Sequence, residues 1–404
     1  MTRPDLQAIR AAADILTGQV IRTPQLPAPR LSKLTGGDVV VKYETLQATA
    51  AFKERGALVK LSTLTAEERA RGVIAMSAGN HAQAVAHHAT RLGIKATIVM
   101  PVTTPFVKVA ATEGFGATVL LEGEAVNESF DAAMRIAERD GLVFVHPYDD
   151  WEVIRGQGTI ALEMLADDPD LDVLVVPIGG GGLISGMAIA AKALKPAIQV
   201  IGVETKLYPS MWAAVRGMPA ECGGATLAEG IAVKSAGALT LPVVRELVDD
   251  IILVGEAELE RAVNAFVTLQ KVMAEGAGAA GLAAMLTEPE RFRGKRTGLV
   301  LCGANIDPRM AASIMMRELA REERIVDIRL AIPDRPGVLG DIATLIGSQG
   351  GNILEVSHRR TVLGIPAKGA SLDITIEARD GTHAGAICDL LRARGYGVEK
   401  VSAL

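Results

Sequence analysis

Between residues 39 and 301 the chain repeats one pattern: a short apolar run that ends in a turn, then a stretch with helical periodicity. The runs are VVVKYE, GVIAMS, ATIVMP, GATVLLEG, LVFVHP, DVLVVP, QVIGVE and TGLVLCG. Runs this uniformly apolar suit strands buried on both faces, and strands that alternate with helices run parallel. The pattern therefore predicts an α/β unit with helices on both faces of a parallel sheet. One segment, VLVVPIGGGGLISGMAIAA, lacks charge for long enough to resemble a membrane span. Pro177 and four consecutive glycines rule out an unbroken helix there. It reads as a buried strand, a glycine turn and a helix from about Leu183, and no membrane partner is expected.

After Ile325 the rhythm changes to VDIRLAIP, a DRPG turn, a helix, two strands around ILEVSH and SLDITIEA, a second helix and a last strand GVEKVS. This order predicts a separate βαββαβ domain of ferredoxin-like topology over residues 326–404. Residues 1–320 are left to the α/β part, and the charged stretch RELAREERIVD spans the boundary. A formal charge of −5 without runs of like charge offers no field for nucleic acid, so a small-molecule partner is expected. The three cysteines, Cys222, Cys302 and Cys388, are too few and too far apart for a disulfide framework. The first residues lack the apolar core of a signal peptide. Both point to a cytoplasmic protein.

Ligands of open α/β sheets bind at the carboxyl ends of the strands, so the loops there are read together. Lys53 lies in TAAFKERGAL, where Ala50, Ala51 and Phe52 would desolvate it and favour a neutral, imine-forming amine. Ser77, Ala78, Gly79 and Asn80 lead from a strand into a helix, whose free N–H groups suit a carboxylate. Gly179, Gly180, Gly181 and Gly182 let backbone amides approach a phosphate at the next helix N-terminus, and their spacing does not match a dinucleotide fingerprint. Cys302 ends a strand before a small-residue turn. No metal-ligand spacing is present, and His87 and His88 read as an ordinary helix face. A lysine nucleophile, a phosphate cradle and a carboxylate pocket together describe a pyridoxal phosphate site that processes an amino acid.

AFKERGA, SAGNHAQAVA, TPFVKVAATEGFGATV, PIGGGGL and LCGANID, in that order, resemble the threonine dehydratases (threonine ammonia-lyases) of the pyridoxal phosphate β-family over essentially the whole chain. The C-terminal segment resembles an ACT domain. The resemblance implies the tryptophan-synthase-β-like fold type II, with open, mostly parallel sheets in two lobes, the small lobe at about residues 47–146. It further implies that Lys53 holds pyridoxal 5'-phosphate and acts as the base. Phe52 would pack beside the ring, Asn80 would bind its 3-hydroxyl, the glycines 179–182 with Leu183 would hold the phosphate, and Cys302 would face the ring nitrogen. Ser77, Asn80 and His81 would contact the substrate, L-threonine or more slowly L-serine. An effector, isoleucine or valine, would use the turn 334–337, including Gly337, and Asn352 between paired modules of a dimer or tetramer. Glu204 matches an acid that some relatives use for a divalent cation, but Ser210 stands where they carry a second carboxylate, so no metal is expected. Ala50, Ala51 and Ala304 depart from the commonest pattern. A racemase, a 3-hydroxyaspartate dehydratase and a non-catalytic amino-acid-binding regulator are the alternatives.

Overall fold

The apolar runs sort into two sheets. In the computed structural model, which describes residues 2–360 and 368–401, the first unit spans Met1–Ile306 and the second Asp307–Leu404. The strands of the first unit are Gln25–Pro27 (β1), Asp38–Tyr43 (β2), Val73–Met76 (β3), Ala96–Met100 (β4), Thr118–Leu121 (β5), Val143–Phe144 (β6), Val173–Pro177 (β7), Gln199–Thr205 (β8), Asp250–Val254 (β9) and Arg296–Leu301 (β10). One sheet runs β1-β2-β10-β7-β8-β9 and the other β5-β4-β3-β6. Every pairing is parallel except β1 with β2. The edge strands β1 and β9 are the two that the sequence pattern does not disclose. The first has three residues and ends in proline, and the second starts at an aspartate directly after an Asp249 that belongs to the preceding turn.

This order explains how distant segments meet. Strands β2, β10 and β7 are neighbours in register, with Tyr43 opposite Leu301 and Leu299 opposite Val175. The loops after their carboxyl ends, 44–52, 302–307 and 178–181, therefore emerge side by side. In the second sheet β3 and β6 are adjacent, which brings residues 77–79 beside residues 145–150.

Three helices of this unit touch at the level of the main chain. Lys53–Ser62 crosses Trp151–Asp167, and that helix crosses Gly182–Leu194. A Cβ placed on Gly156 would lie 2.7 Å from both the Arg55 carbonyl oxygen and the Gly56 Cα, and one on Gly186 would lie 2.2 Å from the Ile154 carbonyl oxygen. Only glycine permits that approach.

The second unit starts with the helix Pro308–Arg321, capped by the Asp307 carboxylate. Strands Ile325–Pro333 (β11), Asn352–Arg359 (β12), Gly369–Glu377 (β13) and Gly397–Val401 (β14) form an antiparallel sheet of order β12-β13-β11-β14, with helices Val338–Ser348 and Gly381–Ala393 completing the βαββαβ succession. The RELAREER stretch is thus the end of a helix and a short turn. Ile325 and Asn352 share the partner Glu377, whereas Pro333 pairs with Gly369. Asn352 and the turn 334–337 consequently lie at opposite ends of the sheet in one chain. Among the described residues no helix is long and apolar enough to cross a membrane.

Candidate active site

Lys53 is the first residue of its helix, and the residues before it are stitched to the end of β10. The Phe52 amide donates to the Cys302 carbonyl at 2.9 Å, the Ala304 amide to the Ala50 carbonyl at 3.0 Å, and Ala51 bridges Gly303. Ala50 adopts φ +54°, a left-handed conformation that costs a non-glycine residue energy and that the surrounding hydrogen bonds hold in place. The Lys53 ammonium donates to the Pro147 carbonyl at 2.6 Å and lies 5.3 Å from the centre of the Phe52 ring. Desolvation by the surrounding protein lowers its pKa from 10.5 to about 8. That change multiplies the neutral fraction at pH 7 by roughly 300.

Asn80 opens the helix Asn80–Arg91. Its Nδ2 donates to Glu275 Oε1 at 2.7 Å and its Oδ1 accepts from Asn305 Nδ2 at 2.8 Å. Asn305 Nδ2 also donates to the Thr49 carbonyl, so the loops around residues 49, 80, 275 and 305 form one network. Ser77 Oγ accepts from the Gly79 amide at 3.2 Å. Buried His81 donates from Nε2 to the Val145 carbonyl at 2.9 Å, and its Nδ1 has no partner. Burial lowers its pKa to about 3, so the ring is neutral and Nδ1 is an acceptor. Cys302 is buried, its thiol donates to the Val300 carbonyl, and desolvation pushes its pKa well above the ordinary value, so it stays protonated.

Gly181 has φ +95° and precedes the helix Gly182–Leu194, whose first turn no side chain caps. Those amides are free for an anion. Tyr148 closes this turn from outside: a Cβ on Gly180 would fall 2.2 Å from its ring. Thr240 Oγ1 donates to the Gly180 carbonyl at 2.6 Å. A single stretch, residues 146–150, therefore joins the pieces. Pro147 holds Lys53, Tyr148 packs on the glycine turn, the Asp149 carboxylate accepts from the amides of Ala238 and Leu239, and Asp150 caps Trp151–Asp167.

The helix that starts with Lys53 is anchored by charges buried inside the unit. Arg55 donates to both carboxylate oxygens of Glu44, at 2.8 Å each, and to Glu163 at 2.6 and 2.9 Å. Fully buried Lys42 pairs with Glu163 and donates to the Thr23 carbonyl. The four groups balance two positive charges against two negative ones.

The sequence-predicted residues Phe52, Lys53, Ser77, Asn80, His81, Gly179, Gly180, Gly181, Gly182, Leu183 and Cys302 thus lie on loops and first helical turns that converge. Gly337 and Asn352 do not meet within one chain. His88 is a correction: it is fully buried, with Nε2 3.5 Å from the buried Glu54 carboxylate, rather than on an ordinary helix face. Glu54, His87 and His88 bring ligand-type atoms within 4.8 Å of one another. Glu54 already accepts the Thr49 amide, and His88 Nδ1 lies 3.3 Å from Arg91 Nη1. Glu204 is buried with its carboxylate committed to the amides of Met211 and Trp212 at 2.8 and 2.7 Å and to Ser210 Oγ, and burial raises its pKa to about 7. Glu275, Asn305, Pro147 and Tyr148 escape the sequence reading. Glu275 sits in AEGAGAAG, where an acid before small residues reads as a helix cap, and Pro147 acts through a carbonyl that every residue possesses.

The residues present fit pyridoxal phosphate: an enclosed lysine of lowered pKa, uncapped amides at a glycine turn, and an orphaned acceptor on His81 in one site. The model for the pyridoxal-phosphate dependent enzyme family matches residues 16–303, and the ACT domain model matches residues 326–393. The chain is 44% identical over 398 residues to an L-threonine ammonia-lyase of Thermotoga maritima, covering 98% of this chain and 99% of that one. Among solved structures, maize serine racemase superposes with a TM-score of 0.74 at 33% identity, over 80% of this chain and 100% of that one. The processed form of threonine deaminase isoform 2 from Solanum lycopersicum does so with 0.72 at 34%, over 78% and 89%.

Proposed function

The chain belongs to the family of pyridoxal-phosphate dependent enzymes, and from that premise we propose that it is a threonine ammonia-lyase, converting L-threonine to 2-oxobutanoate and ammonia and L-serine, more slowly, to pyruvate. The single observation that carries this reading is Lys53, enclosed against the Pro147 carbonyl and with a lowered pKa, at the converging loops that also carry the Asn80 network. When bound, the cofactor supplies the electron sink that makes the substrate Cα proton acidic and lets the β-hydroxyl depart. Lys53 is the residue that would hold the cofactor, and its amine, neutral in a larger fraction through desolvation, would take that proton as general base. Asn80 and Cys302 would contact the ring and Phe52 would pack beside it, while the amides of 179–183 would carry the phosphate. The Ser77 hydroxyl and the amides of Ala78 and Asn80 suit the substrate carboxylate, since the amides of Ser77 and Gly79 are taken by the Val99 carbonyl and Ser77 Oγ. Neutral His81 offers an acceptor, which suits a hydroxyl or ammonium hydrogen rather than a carboxylate. The neutral Cys302 thiol cannot stabilise a charged ring nitrogen as a carboxylate would, which favours elimination over transamination. Threonine is expected to exceed serine as substrate by about fivefold to a hundredfold, the worth of about 1–3 kcal/mol for burying one methyl.

Racemisation needs a proton donor on the face opposite the lysine, and the methyl of Ala78 cannot serve. Purified protein incubated with L-threonine or L-serine is therefore expected to release 2-oxo acid with no D-amino acid above background. Chiral chromatography beside a 2-oxo acid assay tests this, and D-serine or D-allo-threonine formed as fast as 2-oxo acid would overturn it.

We assign residues 1–320 to catalysis, with residues 47–146 as the small lobe, and residues 326–404 to regulation in a cytoplasmic homo-oligomer, a dimer or tetramer. Because the turn 334–337 and Asn352 lie at opposite ends of one sheet, an effector that uses both needs two copies of the module. Isoleucine or valine is the expected effector. Ending the chain after Arg324 should remove the response to either amino acid and spare catalysis. A full-length protein whose activity is unchanged by any amino acid tested would leave the module as simple dimer contact.

A further inference from the structure

Glu275 occupies the N-cap position of the helix Gly276–Thr287, where an acidic side chain ordinarily accepts from the first-turn amides, yet it makes no capping bond. Its carboxylate turns away from the helix: Oε1 accepts from Asn80 Nδ2 at 2.7 Å and Oε2 from the Asn305 amide at 3.1 Å. Its own amide donates to the Gly303 carbonyl, and a Cβ on Gly303 would lie 2.6 Å from Oε1, so any side chain at position 303 would push the carboxylate from its place. An acid that gives up a local cap for a partner 195 residues away in sequence is there for that partner.

A carboxamide presents two ends of nearly equal shape, and what surrounds it decides which end faces where. Glu275 accepts only, so it takes an N–H of Asn80. Asn305 Nδ2 donates, so it takes the Asn80 oxygen. The two neighbours leave one Asn80 N–H without a protein partner and forbid the flipped orientation. Burial pushes the Glu275 pKa up, and its bonds to Asn80 and Asn305 act against that rise. We propose that Glu275 is a positioning residue: its carboxylate locks the Asn80 carboxamide so that the remaining N–H is delivered to the cofactor 3-oxygen. This rests on the reading of Asn80 as a cofactor contact. The chemistry explains why an acid rather than an amide stands at 275. A glutamine would have to turn its NH2 toward either Asn80 Nδ2 or the Asn305 amide, setting donor against donor.

The test is cofactor affinity and the absorbance of the bound cofactor in the full-length protein, stripped and titrated with pyridoxal phosphate, for E275Q, N80A and the double variant. The lost charge-assisted bond should raise the cofactor Kd of E275Q by about tenfold to a hundredfold. It should also move part of the long-wavelength band to shorter wavelength, as expected when the 3-oxygen loses its donor. Since Glu275 acts through Asn80, the double variant should bind no worse than N80A. An E275Q protein that binds within twofold of the parent and keeps its spectrum, while N80A binds weakly, overturns the proposal alone. N80A binding as tightly as the parent overturns the Asn80 reading and the proposal with it. Additive losses in the double variant also overturn it, because Glu275 would then act independently. If E275Q does not fold, E275D serves, since it keeps the charge and shortens the reach: parental Kd and spectrum in E275D overturn the proposal, and a raised Kd with the band displaced supports it.

Discussion

Replacing Lys53 by alanine is expected to abolish both turnover and the long-wavelength absorbance of bound cofactor. General-base catalysis alone contributes about 10²–10⁴ in rate, and under the proposed function this lysine would also hold the cofactor, so the loss should reach at least about 10⁴. The sign of the pH dependence follows from its environment. Imine formation needs the neutral amine, and desolvation lowers the pKa from 10.5 to about 8. Capture of pyridoxal phosphate by the stripped protein should therefore quicken as pH rises toward about 8 and level off above it. Spectral titration across pH 6–9 together with 2-oxo acid release checks both points, with a variant of the exposed Lys33 as control. Lyase activity that persists in the Lys53 variant would remove this residue from the mechanism. A capture rate that climbs steadily to pH 9 with no sign of levelling would instead mean that the lysine is not desolvated.

Arg55→Met is expected to be the most destabilising single change near the site, at about 3–5 kcal/mol. The guanidinium is fully buried, and its removal leaves the carboxylates of Glu44 and Glu163 with only Lys42 between them. Burial by itself would raise the Glu44 pKa, but Arg55 reverses this and holds it below the usual carboxylate value. A lowered pKa in the folded protein contributes stability that is present at neutral pH and lost as pH falls through the folded value. The parent should thus lose this contribution only in acid, whereas the variant lacks it already at pH 7. Urea denaturation followed by circular dichroism measures the effect, and a loss below about 1 kcal/mol would show that the site tolerates the two carboxylates without their partner. Replacing Arg55, Glu44, Glu163 and Lys42 together by apolar residues of similar size should be far milder than Arg55→Met, because no uncompensated charge remains.

Much of the architecture was legible in the sequence, since each buried strand is a local apolar run and each glycine turn is a local cluster. The order of the strands was not. Nothing local in QVIGVE or TGLVLCG records that β10 lies between β2 and β7, or that β3 to β6 form a sheet of their own. The site shows the same division. Lys53 stands out because alanines and a phenylalanine surround it in sequence, and the phosphate turn because four glycines are consecutive. Glu275 reaches Asn80 from 195 positions away, and Arg55 reaches Glu163 from 108. A single sequence carries no mark of such pairs, so a buried Arg55 reads there as one more basic residue near a helix start. The left-handed Ala50 is hidden for another reason: alanine is the wrong residue to announce a positive φ.

The three helices that meet through glycines act as a ruler. One begins at Lys53 and another at Gly182, and the helix between them touches both main chain to main chain. The span from the Lys53 Cα to the amides after Gly181 is consequently set by backbone thickness, and only the lysine side chain itself can adjust the reach of the amine. Substitutions elsewhere in the core can change stability without changing which lengths of ligand reach both ends at once. A phosphate ester longer or shorter than the cofactor would meet the same fixed helix spacing, and only the swing of one lysine side chain could take up the difference.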